Sequence, residues 1–574
     1  MLIPLALALL SCTGKDGGQP ADSGQPADDA IAVDHLFALL NCAEDVFGFC
    51  PDGDPASFDR ALYRDLYADP FGQGPAHGVY PDRDDNLYAG FALPQCEDST
   101  VADPVTLDSD TDPATWACPD GSPFIRCSDG TRPVAWLNPA SDPSSDKWLI
   151  LISVGGAACY GDDCVNTAAT NLHRFSSLLA KDDTLAGDAT SSAGLFGLSD
   201  FGDYHRLIID QCASGAGIGD SQDTARYTDE TTGLTYDVPV FFHGSRIIRA
   251  ALDRILNEAP VSPAQIVFAS HSNGSRHAYL ELDEWADWIN DHPLSSGHVD
   301  VRLQANSLVH DGIDAATCRA DSSCTDFLDA FHHGSDDFLG LSSTVSAPGS
   351  TDLSTICDDD GVGRCLTDDD GVVYAEVPAD GVAIDSLAFQ PGGETRALQD
   401  ALGTHKDTSC VAAHPDDDDA CLDAMHVLLY HIETPIYFGL SGYDQSMRSG
   451  NVSQASPAYE AWSLDDYHDL LLQYTLALID RGGGEKDAVR APGNGVWVDN
   501  SGNHQGPTNA TKMKRTLLRD DGVELAMYES IRAWLDATDD HSPYCISDGE
   551  ARSNPDNPMN TSAGGTPVSA ADCF

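Results

Sequence analysis

The stretch Ala264-Gln265-Ile266-Val267-Phe268-Ala269-Ser270-His271-Ser272-Asn273-Gly274 decides how this chain is read. Its apolar run, with a β-branched pair and an aromatic, is short and continuous, which is the pattern of a fully buried strand. The run stops at Ser270 in small polar residues, and a helical pattern resumes after Gly274. Ser270 to Gly274 is the elbow G-x-S-x-G with its first Gly replaced by Ser. In such a turn the hydroxyl of the central residue, Ser272, projects from the sheet, and the following amide points at a developing oxyanion. Pentads like this arise by chance. A strand on one side and a helix on the other make this one informative.

Working outward, the surrounding chain alternates strand and helix. KWLILISVGG from Lys147 and HRLIIDQC (His205 to Cys212) read as buried strands before the elbow. Between them and the elbow, Ser245 to Glu258 sets Ile247, Ile248, Ala251, Leu252 and Ile255 on one helical face. Downstream, Val299 to Val309, Thr434 to Gly442 and Gly495 to Asn500 add three strands, and Asp465 to Asp480 and Val523 to Leu535 read as amphipathic helices. Alternation of this kind predicts an α/β fold, one layered sheet flanked by helices. The predicted organisation is a signal segment over residues 1–12, a linker over 13–31 that repeats GQPAD, a Cys-containing N-terminal extension over 32–146, and a main domain over 147–574. An acidic insertion with six Cys occupies 311–433 of that domain.

Charge excludes several functions. Asp and Glu number 92 and Lys and Arg 30, so the formal charge is 30 minus 92, or -62. Nucleic acid is held by cations that neutralise phosphates, and no part of this chain concentrates them, so it is not a nucleic-acid partner. Anionic membrane surfaces are excluded for the same reason. Sixty-two unpaired acids repel one another unless screened, and the Debye length falls from about 10 Å at 0.1 M salt to about 3 Å at 1 M. The composition, with only seven Lys, therefore suits a saline, halophilic setting. Calcium is the rival means of neutralisation. Asp358 to Gly361, Asp368 to Gly371 and Asp416 to Asp419 read either as solvated loops or as calcium ligands, and none has the spacing of an EF-hand.

The N-terminus and the cysteines both point to export. MLIPLALALLS is too short to span a bilayer as a mature helix and leads directly into Cys12. Leu9-Leu10-Ser11-Cys12 resembles the bacterial lipobox, in which the Cys is lipidated, although a positively charged start is missing. The membrane contact expected is through that lipid alone, with the protein in the bacterial cell envelope or outside the cell. Of 17 Cys, setting Cys12 aside leaves 16, an even number that suits disulfides in an oxidising compartment. The short spacings Cys159/Cys164, Cys318/Cys324, Cys357/Cys365 and Cys410/Cys421 are read as lying beside no His at zinc-finger spacing, so no metal site is expected.

An elbow Ser needs a base, and the base an orienting carboxylate. In α/β-hydrolases these follow the Ser in the order acid, then His, at the ends of later strands. The strand Thr434 to Gly442 runs into Tyr443-Asp444, and Gly495 to Asn500 into Ser501-Gly502-Asn503-His504. A turn Asp and a loop His read the same way in isolation; the order is what distinguishes them. The turn Gly155-Gly156-Ala157-Ala158 after the first strand lets backbone amides approach a reacting carbonyl oxygen.

With these residues in view the chain from Lys147 to Leu535 resembles the pectin acetylesterase and Notum family of α/β-hydrolases. WLILISVGGAAC (Trp148 to Cys159) is similar to the family's tryptophan-led strand and Gly-rich, Cys-closed loop. HRLIIDQCASGAGIGD with FFHGSRII resembles its Cys-Asp-Gly segment and Arg-Gly block. FASHSNGS stands in the place of its Gly-Cys-Ser-Ala-Gly-Gly elbow, and PIYFGLSGYD and GVWVDNSGNHQG fall where it keeps its acid and its His. The resemblance implies an α/β-hydrolase sheet with Ser272 as nucleophile, His504 as base and Asp444 as its partner, and with amides of Gly156, Ala157 and Asn273 as oxyanion hole. This sequence departs at Ser270, His271, Ala157 or Ala158, and Asn306, where the family has Gly, Cys, an aromatic and an acid.

The resemblance and the residues together predict an exported serine esterase that needs no cofactor and removes acetyl groups from a polysaccharide or a small ester. The alternative is a non-catalytic surface lipoprotein that keeps the scaffold and binds calcium or a glycan.

Overall fold

The structure, a computed structural model, describes residues 117–153, 194–210, 219–228, 233–306, 402–415, 431–444, 494–499, 506–518 and 524–537 with a few single-residue gaps, together with shorter pieces between and beyond them. Cys12, Gly156, Ala157, the three acid runs, the expected helix 465–480 and His504 lie outside the described residues.

One sheet of 12 strands organises the described chain. Its strands are β1 (Ala89–Ala92), β2 (Val134–Asn138), β3 (Lys147–Ser153), β4 (His205–Asp210), β7 (Gln265–Ser270), β8 (Asp300–Ala305), β9 (Ile436–Ser441), β10 (Gly495–Asp499), β11 (Thr516–Leu518), β12 (Glu524–Ala526), β13 (Tyr544–Ser547) and β14 (Val568–Cys573). β5 (Ser221–Thr228) and β6 (Thr235–Phe242) pair antiparallel in a separate sheet, to which Ile31–Ala32 adds a short strand parallel to β6. The order across the sheet is β12-β11-β14-β13-β10-β9-β8-β7-β3-β4-β2-β1. From β4 to β13 every neighbour is parallel.

A parallel sheet must be covered on both faces, and its strands accordingly read as unbroken apolar runs. Trp148, Ile150, Ile152, Ile266 and Phe268 pack with helices α1 (Gly244–Glu258) and α2 (Asn273–Asp291). Leu149, Leu151, Val267, Ala269, Tyr437 and Trp497 pack on the other face with Met527, Ile531 and Trp534 of α4 (Met527–Asp536). Burying each large side chain contributes roughly 1.5–3 kcal/mol, so the two faces supply most of the cohesion. Both α1 and α2 end before a proline. Ala259 precedes Pro260 and His292 precedes Pro293, and both residues are extended, as the clash with a following proline ring requires.

Expected strands and helices fall where the sequence put them for β3, β4, β7, β8, β9, β10, α1 and α2. Two strands lie within the expected N-terminal extension, before residue 147. These, β1 and β2, extend the sheet, with β2 antiparallel to β4. The sequence reading missed them because they are short and follow an irregular Pro- and Asp-rich stretch. Cys127–Cys212 fastens this extension to the residues just past β4, and Cys96–Cys118 closes a loop within it. The expected helix 523–535 starts at Met527; Glu524–Ala526 is a strand, and Glu529 Oε2 accepts the Ala526 N–H at 2.8 Å to open the helix. Among the described residues no helix is long and apolar enough to cross a membrane.

Candidate active site

In a parallel sheet every strand ends on the same side, and ligands bind there where the strand order reverses. The reversal lies at β3: the chain adds β4 on one side of it and β7 on the other. Ser153, Asp210, Ser270, Ala305, Ser441 and Asp499 end their strands along this edge, with Ser153 paired to Asp210, Ser270 to Ala305, and Ser441 to Asp499. Ser272 therefore leaves the sheet beside the reversal.

The turn at Ser272 has a strained backbone. Ser272 has φ 54° and ψ -132°, and it is the only non-glycine residue with positive φ among those described. That region is all but reserved for glycine and costs about 1–3 kcal/mol, so it persists only where the surroundings impose it. They do so through the helix that begins at once: Gly274 N–H donates to the His271 carbonyl at 3.0 Å and Ser275 N–H to the Ser272 carbonyl at 2.9 Å. Ser272 caps α2, and the amide of Asn273 opens that helix, where unpaired N–H groups and the helix dipole favour negative charge.

Ser270, in the place of the usual Gly, is fully buried, and a buried hydroxyl without a partner is costly. It is satisfied inside the turn: Ser270 Oγ and Ser275 Oγ lie 3.0 Å apart. The partner, just inside the helix, is a residue the sequence reading did not single out. Asn306 is buried and anchors the same end, its N–H donating to the Ser270 carbonyl at 3.2 Å and its Nδ2 to Gln304 Oε1 at 3.0 Å.

Asp444 is buried just beyond β9, its N–H closing a turn onto the Ser441 carbonyl at 3.2 Å. Gly442 N–H donates to the Asp499 carbonyl at 2.7 Å, which holds the ends of β9 and β10 together. Lys512 is fully buried, and its Nζ donates to Ser441 Oγ at 2.9 Å. Sequence reasoning missed Lys512, since nothing in its local pattern marks it apart from the rarity of Lys.

The chain returns to the elbow after β10. A Cβ on Gly506 would lie 2.7 Å from Cγ and 2.8 Å from Cβ of His271, so the backbone of Gly506 rests directly on the residue before Ser272. The Pro507 carbonyl next to it accepts from Leu195 N–H at 2.8 Å.

Behind the elbow, α2 is locked to α1 through Glu281. This buried carboxylate accepts from Ser245 Oγ and from Trp285 Nε1 at 3.0 Å, and lies 3.2 Å from His277 Nε2. Burial works against its charge, but His277, His405 and the Ser245 hydroxyl outweigh it and hold the carboxyl at about 2. The blocks HRLIIDQCASGAGIGD and FFHGSRII, separate in the sequence, are joined by Arg246, whose guanidinium binds the Asp220 carboxylate at both oxygens.

The family model described as pectinacetylesterase matches residues 121–302, a stretch that contains β2 to β7, the start of β8, the elbow and the first helices. It supports an esterase-type hydrolase. Two crystal forms of the Wnt deacylase Notum from Drosophila align with the chain at 13% and 15% identity, covering 71% and 72% of it and 89% and 90% of their own length, each with a TM-score of 0.42.

Proposed function

We propose, from the match of residues 121–302 to the pectinacetylesterase family model, that this chain is a serine carboxylic-ester hydrolase working through an acyl-enzyme. The observation that carries the reading is the backbone of Ser272, φ 54° at a strand-to-helix turn beside the point where the strand order reverses. A structural serine has no use for that conformation.

In this reading His504 removes the Ser272 proton as the hydroxyl attacks the ester carbonyl, and returns it to the departing alcohol. Water, activated by the same imidazole, then releases the acid. Asp444 orients the imidazole and stabilises its charged form. The amide of Asn273, with those of Gly156 and Ala157, receives the oxyanion. Two described residues support His504. Asp499 ends β10 on the active edge, and Gly506 rests on His271. His504 precedes Gly506 by two residues, and two residues of extended chain reach only about 7 Å. The chemistry needs no cofactor.

Acetyl groups on a neutral glycan, or small esters, fit as substrates better than a polyuronate, which a net charge of -62 repels at low salt. The disulfides among the described residues fit an oxidising, extracellular compartment. The alternative of a non-catalytic scaffold rests on Ser270 and on the altered loop at Ala157 and Ala158, which lies outside the described residues. The Ser270 to Ser275 contact gives the substitution at Ser270 a structural explanation within an intact elbow.

The test is hydrolysis of a short-chain aryl acetate. Ser272→Ala and His504→Ala should each lower kcat by several orders of magnitude with circular dichroism unchanged, and Asp444→Asn by less. Activity of Ser272→Ala within about tenfold of wild type would remove the nucleophile assignment.

A further inference from the structure

Away from the active edge, the end of the insertion packs against the α1 and α2 side of the sheet. Helix α3 (Thr408–Ala413) carries Cys410, and Cys410 and Cys421 are fully buried there with Val427, Leu428 and Ile432. Asp407 caps the helix by accepting the Cys410 N–H at 2.8 Å, and His414 closes it, its N–H donating to the Cys410 carbonyl at 2.9 Å. Cys410 and His414 are thus one helical turn apart and share a face. His431 enters from the following segment, where its N–H donates to the Val427 carbonyl at 2.9 Å, and its ring meets that of His414 edge-on at 5.8 Å.

Cys410 Sγ and one ring nitrogen from each of His414 and His431 lie within 4.8 Å of one another. The fourth group is Cys421, whose sulfur is bonded to Cys410. Cys410 Sγ converges with the two imidazoles and carries the Cys421 sulfur beside it, and two sulfurs with two imidazoles are the donor set of a tetrahedral zinc centre. Bonds of about 2.0–2.1 Å to nitrogen and about 2.3 Å to sulfur place neighbouring donors roughly 3.3–3.8 Å apart. The three donors, within 4.8 Å of one another, must close to that spacing, and the sulfurs must part.

We propose that these four residues form a zinc site that alternates with the Cys410–Cys421 disulfide. Spacing along the chain did not suggest it, because the two His stand four and ten residues beyond the nearer Cys on opposite sides of Cys421. In the oxidised chain the two sulfurs satisfy each other and no thiolate is available. A reductant supplies two electrons and the S–S bond breaks: either two thiols give up their protons to the cysteine sulfurs and join as a disulfide, or a phosphine takes the oxygen of a water molecule to become its oxide while the two protons of that water complete the cysteine thiols. Zinc then binds both sulfurs and displaces two protons. Either link closes the segment between α3 and Cys421, and the metal additionally ties it to His431, five residues before the start of β9.

The test uses the full chain, reduced with a phosphine and offered cobalt as a spectroscopic stand-in for zinc. The reduced protein should bind one more cobalt ion than the His414→Ala/His431→Ala variant and show a stronger thiolate-to-cobalt charge-transfer band than the variant or the oxidised protein. Because other cysteines are present, a second measurement isolates this pair. After reoxidation in air, the linked peptide carrying Cys410 and Cys421 should fall at least fivefold when zinc is present in wild type, and be unaffected by zinc in the double His variant. The His side chains are only half-buried, so the variant's fold is checked by its circular dichroism. Equal cobalt uptake by wild type and variant, or a disulfide that reforms to the same extent with and without zinc, would overturn the proposal. Neither readout depends on esterase activity.

Discussion

Ser272 is where local stability and proposed function oppose each other. Its φ of 54° suits glycine, and every other residue placed there bears the strain. Ser272→Gly should therefore abolish ester hydrolysis yet unfold at higher denaturant than Ser272→Ala, by about 1 kcal/mol or more. Equilibrium urea titration of the two variants checks this, and equal midpoints would mean the turn relaxes once the hydroxyl is gone. Ser270 shows how a side chain can replace the expected Gly. The sequence showed that Ser is small, whereas its partner, Ser275, follows from the helix starting at Asn273 and bringing residues i and i+5 of the turn together.

At the scale of elements, the parallel strands were legible because burial on both faces leaves an unbroken apolar signature, as in Ile266 to Ala269 and Leu149 to Ile152. The elements that escaped reading lack it. β5 alternates exposed and half-buried residues with only Ala225 buried, β6 contains Pro239, which argues against a strand, and β11 has three residues. The order of Ser272, Asp444 and His504 along the chain could be read, because strand ends are visible in sequence. The seating of Gly506 on His271 could not, because it joins segments more than 200 residues apart. That contact makes a prediction. Gly506→Ala must push its loop away from the elbow, and displacements near 1 Å can cost up to about a hundredfold in rate, so kcat/KM should fall at least about tenfold with little change in Tm. Shortening the opposing side chain in His271→Ala/Gly506→Ala should recover part of the loss. An unimpaired Gly506→Ala enzyme would detach this loop from the reaction.

For the whole molecule, charge sets the conditions under which the fold holds. Sixty-two uncompensated acids are brought closer together in the native state than in the unfolded chain, so screening favours the native state. Tm should rise as NaCl goes from about 0.05 to 1 M, a range over which the Debye length falls to about 3 Å. A Tm indifferent to NaCl but raised steeply by low calcium would instead assign the neutralisation to specific cation sites. The same charge bears on substrate choice, since any polyanionic substrate should be hydrolysed faster as salt rises and a neutral ester should not.

The central claim is that Ser272 is an activated nucleophile, and a fluorophosphonate probe reads this directly, because it reacts with serines whose protons a neighbouring base removes and leaves ordinary serines untouched. Incubated with the folded protein and followed by peptide mass spectrometry, the probe should add once, on the peptide containing Ser272, and the adduct should vanish in Ser272→Ala. Folded wild-type protein that takes up no probe, or takes it up on another serine, would contradict the account.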